Sequence, residues 1–380
     1  MSANATPTKV TAEDAREAMT QIGQAREPED LFPPIEKPAD YNGVRYVFAE
    51  LSRKVHPDLV PAKLRDDAGL AYGKLSMLYA AHTQNAADAS VSQHHIETLS
   101  SEKYAYTIRD GNCGGTEISN LFLAERSGAT ETKTCVLHLS MPSVKHSMAA
   151  IDHEAKILAI LARDGEPKAA AFFPRYLESV GREDSAGTMR ANALDGYGGT
   201  ISLEAVKSLG FPEGLDLRSV AWIWRRILFA IGNAHAAGVW HGAITPKSVR
   251  ILPAEHGLVL TNWTRAYSDN FSPPIEPERG TTADPEFYSD ELFAGTAAGP
   301  GSDIYMATKL MSWLMAPEDR EQPELKAFIA GCTLPYASGR PTNAFKLKDE
   351  FEEILMDLFG PRTFTPMILT GSVTNFILPI

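Results

Sequence analysis

The residues able to do chemistry fall into four groups along the chain. His138 and Glu154 stand sixteen residues apart and could pair if a strand and a helix carried them to one place. A buried Glu154 needs a partner, which a protonated His138 would supply; otherwise Glu154 turns out to solvent. His241, Ser248 and Asn262 offer an imidazole, a hydroxyl and an amide, with Ala243 between them where a carboxylate could have stood. Alanine cannot accept a proton, and a neutral amide is a poor ligand for a hard cation. Asp110 to Thr116, DGNCGGT, is rich in glycine and could cradle a phosphate or simply turn a hairpin. The fourth group is His56, Pro57 and Asp58, directly after the basic pair Arg53 and Lys54 and one valine. Pro57 would stop one helix and Asp58 would cap the turn into the next.

Elements must hold these residues in place. Val44, Val47, Phe48, Leu51 and Val55 recur at helical spacing, as do Leu70, Leu75, Leu78 and Tyr79, so residues 41–87 read as a helical hairpin. Residues 1–40 are polar, with a short helical pattern from Ala12 to Ala25 followed by Pro28, Pro33, Pro34 and Pro38. They read as a flexible arm or a loosely docked helix. A polar linker, residues 88–103, leads to strand-rich sequence from Tyr104 to Leu139 and then a helix over Ile151 to Leu161. Val220 to about Leu358 is mainly helical, with short strands at Val249–Leu252 and Leu258–Thr261. The expected class is α+β: a small β-rich lobe before a larger α-helical one, over residues 104–360. Residues 361–380 form an apolar tail, broken by Pro366, Thr370, Thr374 and Asn375, that reads as strand-like and packed on a domain or partner.

Bulk properties narrow the function. The chain of 380 residues carries a formal net charge of −12, which argues against general nucleic-acid binding. Three dispersed cysteines show neither metal-site spacing nor a disulfide framework, which points to a reducing, cytoplasmic setting. No signal-peptide order and no membrane-length apolar run stand in the sequence. No metal and no membrane partner are expected.

The segment NAHAAGVWHGAITPKSVRIL, Asn233 to Leu252, resembles the end of a protein-kinase helix and its catalytic loop, H-R-D-x-x-x-x-N. His241 matches the first residue, Gly242 and Ala243 replace Arg and Asp, and Ser248 replaces Asn. Asn262, Trp263 and Thr264 stand at the place of D-F-G. Cys135 to Leu139 resembles the V-A-I-K strand with His138 at the lysine, and Glu154 matches the glutamate that pairs with it. Pro285 and Glu286 resemble the end of A-P-E, Asp303 the aspartate that opens the central helix of the large lobe, and Arg340 the arginine that closes onto the A-P-E glutamate. Phosphoryl transfer needs a lysine on the phosphates, metal ligands and an aspartate base. His138, Asn262, Ser248 and Ala243 occupy those positions, while the scaffold positions Glu154, His241, Glu286, Asp303 and Arg340 are retained. The resemblance therefore implies a pseudokinase. A noncanonical enzyme would need another carboxylate, such as Asp269 or Asp284.

Tyr46 to Leu59, YVFAELSRKVHPDL, resembles the second helix of a J-domain and its H-P-D loop, and the following GLAYGKLSMLYAAH resembles the third helix. The family's first helix is not recognisable before Asn42, and the loop over Val60 to Asp67 is short. The likeness implies contact with a DnaK-type chaperone ATPase through His56, Pro57, Asp58, Arg53 and Lys54. The leading expectation is a non-catalytic scaffold whose J-like module recruits or stimulates such a chaperone while the pseudokinase binds a client. Joining the two raises effective concentration. Two alternatives are an atypical kinase or nucleotide-dependent transferase, and a structural assembly protein. No cofactor is expected, with at most weak ATP binding.

Overall fold

The computed structural model describes residues 11–34, 41–55, 60–65, 67–75, 78–79, 82, 98–142, 144–184, 187–279, 281–364, 367, 369 and 377–378. The chain divides into two compact units, residues 1–95 and 96–380. No described helix is long and apolar enough to cross a membrane.

In the first unit, α1 (Ala12–Gln24) starts where Thr11 Oγ1 accepts the Asp14 N–H at 3.1 Å, and it buries Ala15, Ala18 and Ile22. α2 (Tyr41–Val55) buries Val44, Leu51 and Val55, and helical backbone resumes in α3 (residues 67–75). Ile22, Leu31, Phe32, Val44, Leu51 and Leu75 share one apolar cluster, and Phe48 stacks on Tyr79 at 4.2 Å. The pattern read as a flexible arm or a loosely docked helix is thus a helix packed into this unit's core: Ala15 and Ala18 let it approach closely, and small residues carry little periodic signal. Leu70, read on an apolar face, is 77% exposed, and Ala68 faces inward instead. His56, Pro57 and Asp58 lie outside the described residues.

The second unit opens with β1 (Thr98–Ser100), inside the stretch read as linker, followed by β2 (Ala105–Gly115), β3 (Ser119–Ser127) and β4 (Thr132–Ser140). After α4 (Ser147–Asp164) come β5 (Arg175–Asp184) and β6 (Gly187–Asp195). The six form an antiparallel sheet in the order β1-β2-β3-β4-β6-β5. Its two faces are both covered, one packing Leu121, Val136 and Leu194 with Ile157 and Leu158 of α4, the other gathering Leu99, Tyr106, Leu137, Leu139 and Val180. Burial on both sides explains the unbroken apolar run in β4.

A short strand β7 (Ile201–Ser202) and a single turn α5 (Leu203–Ala205) lead to α6 (Leu217–Ala236), capped by Asp216 and buried along most of its length. β8 (Val239–Trp240) pairs β11 (Tyr267–Ser268), and β9 (Val249–Leu252) lies between β7 and β10 (Gly257–Leu260). Then follow α7 (Asp290–Phe293), α8 (Pro300–Leu314), α9 (Pro323–Cys332) and α10 (Ala344–Phe359). Among the tail residues described, Leu378 exchanges backbone hydrogen bonds with Gly199 N (2.8 Å) and Thr200 O (2.9 Å), so the tail rejoins the segment that links sheet to helices.

Candidate functional site

The register of the sheet sets His138 opposite Leu121 on β3 and Asn192 on β6. Glu154 lies on the same stripe of α4 as Ala150, Ile151, Ile157, Leu158 and Leu161, so it points inward with them. His138 Nδ1–H donates to Glu154 Oε2 at 2.7 Å, and His138 Nε2 meets Ser119 Oγ at 2.7 Å. Asn192 Nδ2 donates to the same Glu154 oxygen at 3.1 Å and to Ile151 O at 2.8 Å. The Trp263 N–H reaches Glu154 Oε1 at 3.1 Å. Both ionisable side chains are fully buried. Burial works to raise the Glu154 carboxyl, but the charge on His138 and the three hydrogen bonds outweigh it and hold the group below the usual carboxylate range. Ser119 and Asn192 complete this network and went unseen in the sequence, since their partners are set by strand register.

The loop after β8 hangs on Asp303. Its carboxylate accepts the backbone N–H groups of His241 (2.8 Å) and Gly242 (2.9 Å) and the His235 imidazole (2.9 Å). His241 Nδ1 accepts from Ala243 N at 3.2 Å, so its Nε2–H donates to Thr261 O at 2.9 Å and the ring is neutral. Burial pushes its pKa down in the same direction. Gly242 has φ +69°, and a Cβ there would lie 2.7 Å from the Arg265 carbonyl oxygen, so the backbone demands glycine where kinases have arginine.

Ala243 is buried and brings only a methyl group to the loop. Ser248 Oγ accepts Thr245 N at 2.9 Å and donates to Thr245 O at 3.2 Å. Asn262 takes a left-handed conformation, φ +62°, and its Oδ1 accepts Thr264 Oγ1 at 2.8 Å. Trp263 is fully buried, with Nε1 on Leu260 O (2.8 Å) and edge contacts to Phe173 (5.5 Å) and His241 (4.5 Å).

The glycine-rich turn carries a residue that sequence reasoning missed. A Cβ at Gly115 (φ +145°) would meet Ser119 O at 2.5 Å, so the β2–β3 turn is tight there. At its tip, Glu117 pairs with the buried guanidinium of Arg265 and accepts Ala283 N–H at 3.2 Å. This clasp ties the turn of the sheet to the segment after Trp263. Glu117 and Arg265 are 148 residues apart, and nothing in either local sequence marks the pairing.

The alternative carboxylates are placed as follows. Asp284 lies 3.4 Å from Lys247 Nζ, which is also 3.6 Å from Glu204, and Asp269 is exposed. Burial raises the Glu204 carboxyl. Burial works to lower the Lys247 ammonium, but its two acidic neighbours outweigh that and raise it.

One retained position needs correction. Arg340 does not meet Glu286, which is exposed. Its guanidinium forks onto Glu291, with Nη1 on Oε1 at 2.5 Å and Nη2 on Oε2 at 3.1 Å, and also caps Leu334 O and Pro335 O. Ser289 and Ser302 hydroxyls complete the Glu291 site. The Pro285–Glu286 pair mimics the expected motif but forms a single 3-10 turn, and the helix that aims a carboxylate inward starts five residues later. In the first unit, Lys54 is paired with Glu50 at 2.9 Å, which offsets part of the expected basic face. The side chain of Arg53 lies outside the described residues.

No family model and no curated protein matches this chain. Among solved structures it is similar to "Structure of vaccinia related kinase 3", with a TM-score of 0.52 at 14% identity, over 73% of this chain and 96% of that one. At this identity the likeness concerns the fold. The antiparallel sheet with α4 against it, the Asp303-held loop and the helices beyond it make the second unit a protein-kinase-like fold.

Proposed function

We propose that the kinase-like unit is a non-catalytic scaffold. The observation that carries this reading is that the polar groups at the family's transfer positions are committed to one another. His138 serves Glu154 and Ser119, Ser248 serves Thr245, and Asn262 serves Thr264, while Ala243 has no basic atom. Transfer needs a base and charge neutralisation at those places. The test is thermal unfolding with ATP, with and without magnesium, beside a phosphoryl-transfer assay. A ligand at a hundred times its Kd adds about 2.7 kcal/mol, which would raise the midpoint by roughly 5–10 °C. The expected results are no such rise and no turnover. Magnesium-dependent turnover by the protein alone would instead favour an atypical transferase.

The N-terminal unit supports a second part of the proposal, recruitment of a DnaK-type chaperone ATPase. α1 packs against α2, so a helix precedes the one that leads toward the H-P-D sequence. Steady-state ATP hydrolysis by such a chaperone should rise on addition of this protein and fall back with Asp58→Asn. Stimulation unaffected by that variant, or none at all, removes the chaperone role and leaves the scaffold.

A further inference from the structure

A cavity of about 410 Å³ lies on the helical lobe between the first turns of α6, the end of α10, residues 360–363 and Met367. Its lining carries one net positive charge, three arginines against Asp216 and Glu352. Arg218, Arg225 and Arg362 line it. Of its two acidic side chains, Asp216 is taken up by the helix end, where it accepts Arg218 N, Ser219 N and the Ser219 hydroxyl. Glu352 is shared by Arg225 at 3.3 Å and Arg362 at 3.1 Å. Arg218 sits 4.2 Å over the Phe359 ring, with its charge toward solvent. In a chain of net charge −12 this is a local basic site.

The cavity is also apolar. Its lining includes Leu355 and Met356, and Met356 is 51% exposed. Trp222 stacks on His256 at 4.3 Å with nearly parallel planes, and Phe364, 64% exposed, packs on the same imidazole at 4.5 Å. Trp222 is only 5% exposed, yet its Nε1–H has no hydrogen-bond partner among the described residues.

We propose that this groove binds an acidic peptide segment of a partner protein, with an apolar side chain seated on Leu355, Met356 and Phe359 and carboxylates meeting Arg218 and Arg362. Charge excess sets the sign of the partner, and the exposed Met356 and Phe364 supply contact area that a free inorganic anion would leave unused. The inference stands on this unit's geometry alone, whichever way the transfer and chaperone assays fall.

The test is selection from a random peptide library displayed on phage against the full chain, followed by anisotropy with the enriched peptide. Enriched sequences should place Asp or Glu beside Leu, Met or Phe, and binding should weaken as salt is added. Arg218→Glu with Arg362→Glu should weaken binding by roughly tenfold or more. Both guanidiniums are exposed and Arg225 remains on Glu352, so the thermal midpoint should hold. Replacing the peptide's acids by amides should weaken binding to the unaltered protein by a similar factor, which keeps the outcome readable if the double variant misfolds. No enrichment, enrichment without acidic bias, or affinity indifferent to the amide peptide would overturn the proposal.

Discussion

Replacing His138 by leucine should destabilise the kinase-like unit by about 3–5 kcal/mol, because it strips the cation from a fully buried Glu154 carboxylate. The remaining donors, Asn192 Nδ2 and Trp263 N–H, are neutral and cannot replace that charge. At about 2–4 °C per kcal/mol for domains of this order of size, the midpoint should fall by roughly 6–20 °C. Glu154→Leu alone should also be costly, since it leaves His138 Nδ1–H and the Trp263 N–H unpaired, at about 1–3 kcal/mol each. The double variant removes both charges together and fills the site with apolar volume. It should recover much of the loss, giving a coupling energy of about 2 kcal/mol in the double-mutant cycle. Tryptophan emission is the right probe: all five tryptophans, Trp222, Trp224, Trp240, Trp263 and Trp313, lie in residues 96–380, so the signal follows this unit alone. Glu154 also sets a pH dependence. Its carboxyl is held below the free value of 4.5, so its contribution is complete above that pH and is lost as pH falls through the folded value. The advantage of the unaltered protein over Glu154→Gln should shrink accordingly below pH 4.5. Additive single effects, with coupling under about 0.5 kcal/mol, would refute the pairing as an energetic unit.

Arg340→Ala should cost about 3–5 kcal/mol by leaving Glu291 unpaired, whereas Glu286→Ala should stay within about 0.5 kcal/mol, and thermal unfolding of the two separates the competing assignments. Gly242→Ala should destabilise by more than about 1–2 kcal/mol, the strain of the left-handed backbone plus the contact with Arg265 O, read by denaturant titration. Glu117→Gln should leave the fold intact but speed hydrogen exchange in the β2–β3 turn, because the charged clasp to Arg265 is lost. Unchanged exchange there would remove the clasp as a restraint on the turn.

Much of the helical lobe was legible from local pattern. The strand at Val249–Leu252 is β9, and the helix expected over Ile151–Leu161 forms the centre of α4, because apolar residues at strand or helix period report which face is buried. β5 and β6 went unread: in RYLESVGRED and GTMRANALD, charged residues, glycine and alanine blur the alternation. Buried positions at Ala191 and Ala193 are small because Leu137 and Leu139 fill that face. The helical pattern of α1 was legible but its close packing was not, for the same reason, since Ala15 and Ala18 pack closely without looking hydrophobic.

The sequence by itself determined what the candidate site lacks. A methyl group at Ala243, an imidazole at His138 and amides or hydroxyls elsewhere limit the available chemistry wherever the chain goes. The order of those residues was enough to indicate the fold class. What each polar group does instead was decided only by tertiary structure. Glu291 rather than Glu286 meets Arg340, and Glu117 meets Arg265 across most of the unit. Two arginines, Arg225 and Arg362, come to share the Glu352 carboxylate from segments far apart in sequence. Pairings of this kind depend on register, helix rotation and the exclusion of water at one point in space. A side chain's type fixes what it can bond, and the packed fold chooses the partner that leaves the fewest buried groups unsatisfied.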